Sequence, residues 1–371
     1  MVIRAAATAL CVLAILSGCS ADSEEPDTDA TLAVYVSLPL RGAQGQDGRD
    51  ARDGAKLALA DAGGETAGVS IEPRYLDDTD GRTWTPDAAA ANARAATEDS
   101  TAIAYLGDFA SGATRASLPV TNEAHLLQVS PASGAVDLVA PDPGSDEVPG
   151  SQPSGERSFG RVIPADDAQA RAAADWVERL GLRRVATLSD GSDFGDVLVD
   201  EFSIALERVD VTRRDDPQLL YFGGTADREP ASAVRGFPAG LMASDAVLEP
   251  EAVRGQPDGT RATSAALDPG QLPPAGGEFT AAFEERFDRR PGRYAAYGYE
   301  AMAVTLDSIE RASDPTDRAA VVDAFFETAE RDSVLGPYSI DEVGDTTLER
   351  LGAYRVEHGR ARPVGELSSG P

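Results

Sequence analysis

Cysteine is almost absent from this chain of 371 residues. Its two cysteines are Cys11 and Cys19, so the sequence beyond residue 19 can form neither an internal disulfide nor a thiol redox centre. A hydrophobic core must therefore hold the rest of the chain together.

Histidine is equally rare. His125 and His358 are far apart in sequence, and no motif surrounds either of them. The chain also lacks a P-loop, a Gly-x-Ser-x-Gly elbow and the Cys/His spacing of a metal site. These absences argue against catalysis, a bound metal and a cofactor. Acidic pairs such as Glu284-Glu285 are numerous enough to be solvated helix faces.

Basic residues are heavily outnumbered. The 33 lysines and arginines face 63 acidic residues, which gives a formal net charge of −30, and Lys56 is the only lysine. This balance argues against nucleic acid as a partner. The same charge repels anionic head groups at long range, so membrane attachment is expected to come from acyl chains and not from a basic face.

A short apolar run opens the chain. Arg4 is followed by the apolar residues 5–15 and by Leu-Ser-Gly-Cys, which ends at Cys19. Such a run is too short to span a bilayer and is typical of an export signal. It resembles a bacterial lipoprotein signal, which implies removal of residues 1–18, lipidation of Cys19 and an acidic tether over residues 19–30. The alternative is a buried helix with an incidental cysteine.

Beyond the tether, β-rich and amphipathic segments alternate. Four strands are predicted, separated by helices at Gly48–Ala62, Trp84–Thr97 and Gly112–Ala124; the strands are Thr31–Leu38, Val69–Leu76, Thr101–Leu106 and Leu126–Val129. This βαβαβαβ order predicts a parallel sheet with helices on both faces. A Pro/Gly-rich loop at Pro141–Gly155 marks a lobe boundary, and a second α/β lobe is predicted after it.

Several phrases, taken in order, resemble the extracellular solute-binding proteins of branched-chain amino acid ABC transporters, which have the type I periplasmic-binding-protein fold. They include Ser37-Leu38-Pro39-Leu40, Asp53-Gly54-Ala55-Lys56, Val129-Ser130-Pro131-Ala132, Pro164-Ala165-Asp166, Tyr221-Phe222-Gly223-Gly224 and Tyr297-Gly298-Tyr299-Glu300. The similarity runs from about Thr31 to Gly359. It implies two Rossmann-like lobes with parallel sheets, joined by a hinge of about three crossings. Lobe 1 would comprise residues 31–157 and 262–333, and lobe 2 residues 158–261 and 334–371.

Ser111 and Gly112 follow a predicted strand at the start of a helix. In open α/β sheets, ligands bind beyond the carboxyl ends of the strands, where helix N-termini offer free N–H groups. The resemblance implies that an amino acid's α-carboxylate docks here. Ser111 as a simple N-cap is the alternative.

The resemblance implies that Ala132 and Ser133 form a second edge of the pocket. Family members that bind branched-chain amino acids carry Thr or Ser where this chain has Gly134. Ser133 either substitutes for that hydroxyl or belongs to a plain turn. Asp245 is the candidate partner of the ligand ammonium, and an acidic N-cap near Leu248 is its alternative.

Aromatic residues complete the expected site. Phe194 stands where the family usually has tyrosine, while Tyr294 and Tyr297 begin a helix near the hinge and either cover the ligand or merely pack. Thr225 replaces a further family tyrosine, and the segment 206–218 is short. Both departures weaken a claim to leucine as the ligand.

The sequence therefore predicts a monomeric lipoprotein on the outer face of the cell membrane. It would capture a small amino-acid-like solute between two lobes and deliver it to an ABC permease, without enzymatic activity, cofactor or nucleic-acid partner. Two alternatives remain open: a binding lipoprotein for an amide, aromatic acid or peptide that serves a sensor, and an interaction lipoprotein without a ligand.

Overall fold

The computed structural model describes residues 31–141, 145–209, 211–213, 216–224, 237–249 and 252–368. Cys19, the predicted signal and tether, and Thr225 lie outside the described residues. Within these ranges, no helix combines the length and hydrophobicity that crossing a bilayer requires.

The strands and helices have the following bounds. The strands are β1 (Thr31–Leu38), β2 (Glu65–Thr66), β3 (Val69–Asp77), β4 (Ala102–Leu106), β5 (Leu127–Ser130), β6 (Phe159–Arg161), β7 (Arg184–Ser189), β8 (Thr212–Arg213), β9 (Leu219–Gly223), β10 (Leu241–Ala243), β11 (Arg261–Ser264), β12 (Arg350–Glu357) and β13 (Arg360–Ser368). The helices are α1 (Gly45–Asp61), α2 (Pro86–Glu98), α3 (Ser111–Glu123), α4 (Asp166–Arg179), α5 (Asp193–Arg208), α6 (Pro274–Phe287), α7 (Ala295–Arg311) and α8 (Arg318–Phe326). Short 3-10 segments lie at Val136–Leu138, Asp245–Leu248, Val253–Gly255 and Pro269–Gln271.

The first sheet has the strand order β2-β3-β1-β4-β5-β6 and is parallel except for the β2–β3 pair. Its central strand β1 is buried along its length apart from Thr31, as its nearly continuous apolar sequence predicts. Side chains alternate between two cores. Leu32 and Val34 pack with α1 and α7, whereas Ala33 and Tyr35 face α2.

The second sheet has the order β13-β12-β11-β10-β9-β7-β8. Its strands from β7 to β11 run parallel, while β12 and β13 form an antiparallel hairpin at the edge. Helices α4 and α5 cover one face, and the segment Asp245–Leu248 packs on the other. Two mostly parallel sheets with helices on their faces confirm the predicted two-lobe α/β fold.

The chain passes between the sheets three times, as expected for the hinge: after β6, after β11 and before β12. Two of the predicted lobe boundaries, however, come too early in the sequence. The strand β6 pairs with β5 in the first sheet, so that sheet continues past residue 157. Its three residues are too few for an alternating pattern to show in the sequence.

The segment after residue 333 also stays with the first lobe before β12 begins. The Tyr338 hydroxyl donates to Glu300 of α7 over 2.9 Å, and the Arg161 N–H donates to the Gly344 carbonyl over 3.1 Å. Turns and isolated bridges build this segment, so no strand pattern in the sequence places it in a sheet.

Helix α2 begins with a side-chain cap. The Thr85 hydroxyl accepts the N–H of Ala88 over 3.2 Å, and Pro86 occupies the first helical position. We expect Thr85→Ala to lower the free energy of unfolding by about 1 kcal/mol in urea denaturation, because one N–H then loses its partner. The control Thr97→Ala changes a half-buried threonine at the other end of α2, and an equal loss there would contradict the capping role.

Candidate functional site

Ser111 joins two loops at the carboxyl edge of the first sheet. It is the first residue of α3, and its neighbour Ala110 occupies the N-cap position without a side-chain hydrogen bond, so Ser111 is not the cap. Its hydroxyl oxygen accepts the backbone N–H of Ala135 over 3.2 Å. This bond ties the loop after β4 to the loop after β5 and leaves the hydroxyl proton available to an acceptor.

Gly112 lies under the indole ring of Trp84. A Cβ atom at Gly112 would stand only 2.3 Å from the Trp84 Cη2 atom, so the ring lies directly against the first turn of α3. The predicted helix begins at Trp84, whereas α2 begins at Pro86 and leaves the Trp84 ring free to make this contact. The close approach requires glycine at position 112 and shields the helix N-terminus on one side.

Ser133 is fully buried inside the first lobe. Its hydroxyl lies 2.7 Å from the Thr114 hydroxyl and donates to the Asp108 carbonyl over 2.9 Å. Its N–H donates to the Ser130 hydroxyl over 2.9 Å, as does the N–H of half-buried Ala132 over 3.2 Å. The polar groups of Ser133 thus shape the loop after β5, which agrees with the alternative of a turn.

Gly134 makes room for a carboxylate from the second lobe. An added Cβ atom would stand 2.1 Å from Oδ1 of Asp166, the first residue of α4. The Asp166 N–H donates to the Gly134 carbonyl over 2.8 Å. The departure from the family pattern at position 134 therefore has a steric cause, because the Asp166 carboxylate occupies the space that a side chain there would take.

Asp166 is a functional candidate that the sequence analysis missed, although its Pro164-Ala165-Asp166 phrase belongs to the family resemblance. Asp166 is buried, with 6% of its surface exposed. Burial raises the pKa of Asp166 to about 7, with Arg161 opposing the shift and the charge of Asp245 adding to it. The buried Arg161 itself bonds to Asp345 and to the carbonyls of Ser133 and Ala135.

Asp245 lies at the start of the 3-10 segment that follows β10, where Ser244 and not Asp245 is the N-cap. Its Oδ2 atom accepts the Tyr294 hydroxyl over 2.7 Å and lies 3.4 Å from the Ser264 hydroxyl. Asp245 belongs to the second lobe, whereas Tyr294 precedes α7 of the first. The two side chains therefore form a contact between the lobes.

The predicted aromatic residues have different environments. The Tyr294 ring meets Phe109 edge-on with 4.6 Å between ring centroids, next to the Asp245 contact. The Tyr297 hydroxyl instead accepts the Leu267 N–H over 3.1 Å and donates to the Ala265 carbonyl over 3.0 Å, so Tyr297 packs against the hinge. Phe194 is half-buried in the first turn of α5.

A further buried side chain interacts electrostatically with both carboxylates. Tyr221 of β9 is fully buried, and its hydroxyl has no hydrogen bond within the described part of the chain. Burial, followed by the charges of Asp166 and Asp245, raises the pKa of Tyr221. The two carboxylates and this buried hydroxyl are here called the acidic pocket wall.

A further polar cluster spans the lobes at the site's edge. Arg293 Nη2 lies 3.4 Å from Glu249 Oε1, and the charge of Asp47 of α1 also acts on Glu249. Burial and the nearby charge of Asp47 raise the pKa of Glu249 to about 9. Residues from the two lobes thus meet here as well as at Asp245 and Tyr294.

The model of the family described as periplasmic binding protein matches residues 32–227, more than half of the chain. The chain belongs to the periplasmic binding protein family. No curated protein matches this periplasmic binding protein in sequence. Its fold is similar to that of three solved structures.

The first is a leucine binding protein, LivK, from Thermotoga maritima, with a TM-score of 0.75 and 24% identity over 91% of this chain and 99% of that chain. The second is an ABC transporter substrate-binding protein from Desulfitobacterium hafniense in complex with Leu, with a TM-score of 0.74 and 19% identity over 90% and 100% of the two chains. The third is a solute binding protein of an ABC transporter from Rhodopseudomonas palustris in complex with p-hydroxybenzoic acid, with a TM-score of 0.74 and 17% identity over 92% and 98%.

The contact of Gly134 with Asp166 yields a prediction for this periplasmic binding protein. Gly134→Ala should lower the free energy of unfolding by about 1–3 kcal/mol, because the new methyl group displaces the Asp166 carboxylate. Urea denaturation measures the loss. The control is Gly150→Ala, since a Cβ at Gly150 meets nothing within 4 Å. A Gly134→Ala protein as stable as this control would contradict the close contact.

Proposed function

We propose that this periplasmic binding protein captures a small amino-acid-like solute between its lobes and presents it to an ABC permease. The observation that carries the proposal is the acidic pocket wall beside the contact of Asp245 with Tyr294. A buried carboxylate is costly unless a cation or several donors offset it. Asp166 is buried near the charge of Asp245 as well as that of Arg161, and a ligand ammonium supplies a further cation for the two carboxylates.

The carboxylate end of the solute docks at the N-terminus of α3. The first N–H groups of a helix lack intrahelical partners and carry partial positive charge, so they favour an anion. The Ser111 hydroxyl donates to the solute carboxylate. The Trp84 ring beside Gly112 shields one side of the α3 N-terminus from water. Half-buried Ala132 lies in the neighbouring loop after β5.

The ammonium end lies between Asp166 and Asp245. A charge-assisted hydrogen bond to each carboxylate offsets the desolvation of all three charges. Tyr294 orients Asp245 through its hydroxyl, and the rings of Tyr294 and Phe109 form an apolar wall. Phe194 is a further candidate for the wall from the second lobe. Tyr297 has a packing role at the hinge.

Closure follows from contacts with both lobes. Ser111 and Tyr294 belong to the first lobe and Asp166 and Asp245 to the second, so a solute that touches all four binds the closed arrangement better than the open one. The solute then shifts the population toward the closed conformation. The permease recognises this conformation. ATP hydrolysis belongs to a separate subunit.

The ligand class follows from the charge of the pocket. The structural neighbours include proteins that bind leucine and one in complex with p-hydroxybenzoic acid. The negative charges of Asp166 and Asp245, which Arg161 offsets only in part, disfavour an aromatic acid that carries no ammonium group. We therefore favour a zwitterionic amino acid or a close analogue over an aromatic acid.

Cys19 is proposed as the lipid anchor, which places the monomeric protein on the outer face of the cell membrane. The described fold begins at Thr31, after the tether. Residues 20–30 reach at most about 40 Å when fully extended. That length lets the body turn and close near a permease while it stays attached.

Thermal unfolding of the body, residues 20–371, tests the proposal. The ligand panel contains amino acids, amides, hydroxybenzoates and short peptides. A true solute at about 100 times its Kd adds about 2.7 kcal/mol to stability and raises Tm. A shift with an amino acid supports the proposal. A shift with hydroxybenzoate alone would replace it with an aromatic-acid binder, and no shift with any compound would remove solute capture altogether.

A further inference from the structure

Three arginines lie side by side on neighbouring strands of the second sheet. Arg261 of β11 is the register partner of Arg355 of β12, which is in turn the partner of Arg362 of β13. Partner residues in a sheet point to the same face, and neighbouring strands lie about 4.8 Å apart. The three guanidinium groups thus share one face of the hairpin edge.

The charges of this row are not neutralised. Arg355 and Arg362 are exposed, and within the described residues neither has a carboxylate at ion-pair distance. Arg261 is partly buried, and its guanidinium donates to the Ala239 carbonyl over 3.0 Å. Like charges placed opposite each other destabilise a sheet. Repulsion between the three arginines therefore lowers the stability of the sheet locally, and an anion bound at this face relieves that repulsion.

A basic hollow adjoins the row at the tip of the β12–β13 hairpin. Arg254, His358 and Arg360 line this space of about 630 Å³, together with Val253, Gly359 and Ala361. Among the described residues, Glu357 is the register partner of Arg360, and Asp258 accepts the His358 N–H over 2.7 Å. Within that part of the chain the five arginines outnumber these two acids, on a protein whose formal net charge is −30.

The position of this surface keeps it independent of solute capture. Arg261 is the first residue of β11, so it lies at the amino end of the parallel strands. The proposed solute residues follow the carboxyl ends of strands, at the opposite edge of the sheets. An anion bound at the arginines therefore leaves the region between the lobes free to close.

We propose that the surface formed by Arg254, Arg261, Arg355, Arg360 and Arg362 binds the phosphate groups of anionic phospholipids. A row of guanidinium groups about 10 Å long, exposed at Arg355 and Arg362, matches an array of phosphates better than one enclosed ion. The proposed lipid anchor keeps the protein near the bilayer, and the arginines orient the second lobe against the bilayer surface. The remaining acidic body opposes binding only within about a Debye length of the bilayer, roughly 10 Å at 0.1 M salt.

Vesicle sedimentation of the body, residues 20–371, tests this proposal without the anchor. Vesicles of pure phosphatidylcholine are compared in 0.1 M salt with vesicles that contain phosphatidylglycerol. We expect partitioning onto the anionic vesicles only, and a loss of about 30-fold in the double variant Arg355→Gln/Arg362→Gln, at about fivefold for each arginine. The matched control Arg82→Gln/Arg94→Gln removes two exposed arginines from the first lobe and should leave partitioning unchanged.

Three outcomes would overturn the proposal: equal partitioning onto both kinds of vesicle, no partitioning onto either, or equal loss in both double variants. Inorganic phosphate at millimolar concentration separates the two sources of phosphate. If it raises Tm of the wild type but not of the Arg355/Arg362 variant and also displaces the vesicles, the surface is a free-phosphate site. Solute binding measured on the same variants should be unchanged, so a failed solute assignment and a failed lipid assignment give different results.

Discussion

Asp245→Asn should weaken solute binding by about 30-fold or more. Truncating one partner of a buried charge pair costs about 2–5 kcal/mol, because the other charge is left without its counterion. Here the solute ammonium would lose one of its two carboxylates, and the Tyr294 hydroxyl would lose a charged acceptor. Isothermal titration calorimetry with the solute found by thermal unfolding measures the change.

The control for this result is Asp200→Asn. It makes the same charge change at an exposed position of α5 in the same lobe, and it should bind like the wild type. Asp245→Asn should also unfold at a temperature close to that of the ligand-free wild type, which separates a binding loss from a folding loss. Equal affinities of the Asp245→Asn and Asp200→Asn proteins would refute the ammonium role of Asp245.

Asp78→Asn should change how stability depends on pH. Asp78 follows β3, is fully buried, and has no hydrogen-bond partner for either carboxylate oxygen within the described residues. Burial, with the charges of Asp108 and Asp77 adding to it, raises the pKa of Asp78 to about 8. The folded protein thus holds a proton on Asp78 that the unfolded chain releases near pH 4.

The sign of the effect follows from this difference. A pKa that folding raises contributes stability below the unfolded value, and this contribution is lost as pH rises toward the folded value, at about 1.4 kcal/mol for each pH unit. Between pH 5 and pH 8 the wild type should therefore lose about 3–4 kcal/mol more than Asp78→Asn. Urea denaturation at both pH values measures the difference. If Asp78→Asn and the exposed control Asp200→Asn follow the same pH dependence as the wild type, Asp78 is not protonated in the folded state.

Much of the fold could be predicted because it depends on local patterns. The strand β1 is a nearly continuous apolar run, and its alternation with helical segments indicates parallel pairing before any tertiary contact is known. The strand β6 and the segment around Tyr338 were assigned to the wrong lobe, because three paired residues and a set of turns leave no periodic signal.

The site was less predictable because its contacts join residues that are distant in sequence. Ser133 lies one residue before the position where family members carry Thr or Ser. Its hydroxyl, however, bonds to Thr114 and Asp108 inside the first lobe. The family phrase that ends at Asp166 was visible, but its contact with Gly134 depends on how two lobes approach each other. Sequence spacing carries no information on such an approach.

The distance between the lobes tests the central claim most directly. The body of residues 20–371 contains no cysteine, so Arg94→Cys on α2 and Asp200→Cys on α5 give one spin label on each lobe. Pulsed electron paramagnetic resonance then measures the distance between the labels with and without solute. Capture between the lobes predicts a shorter and narrower distance distribution at saturating solute. An unchanged distribution, with solute binding shown by calorimetry in the same sample, would contradict the claim.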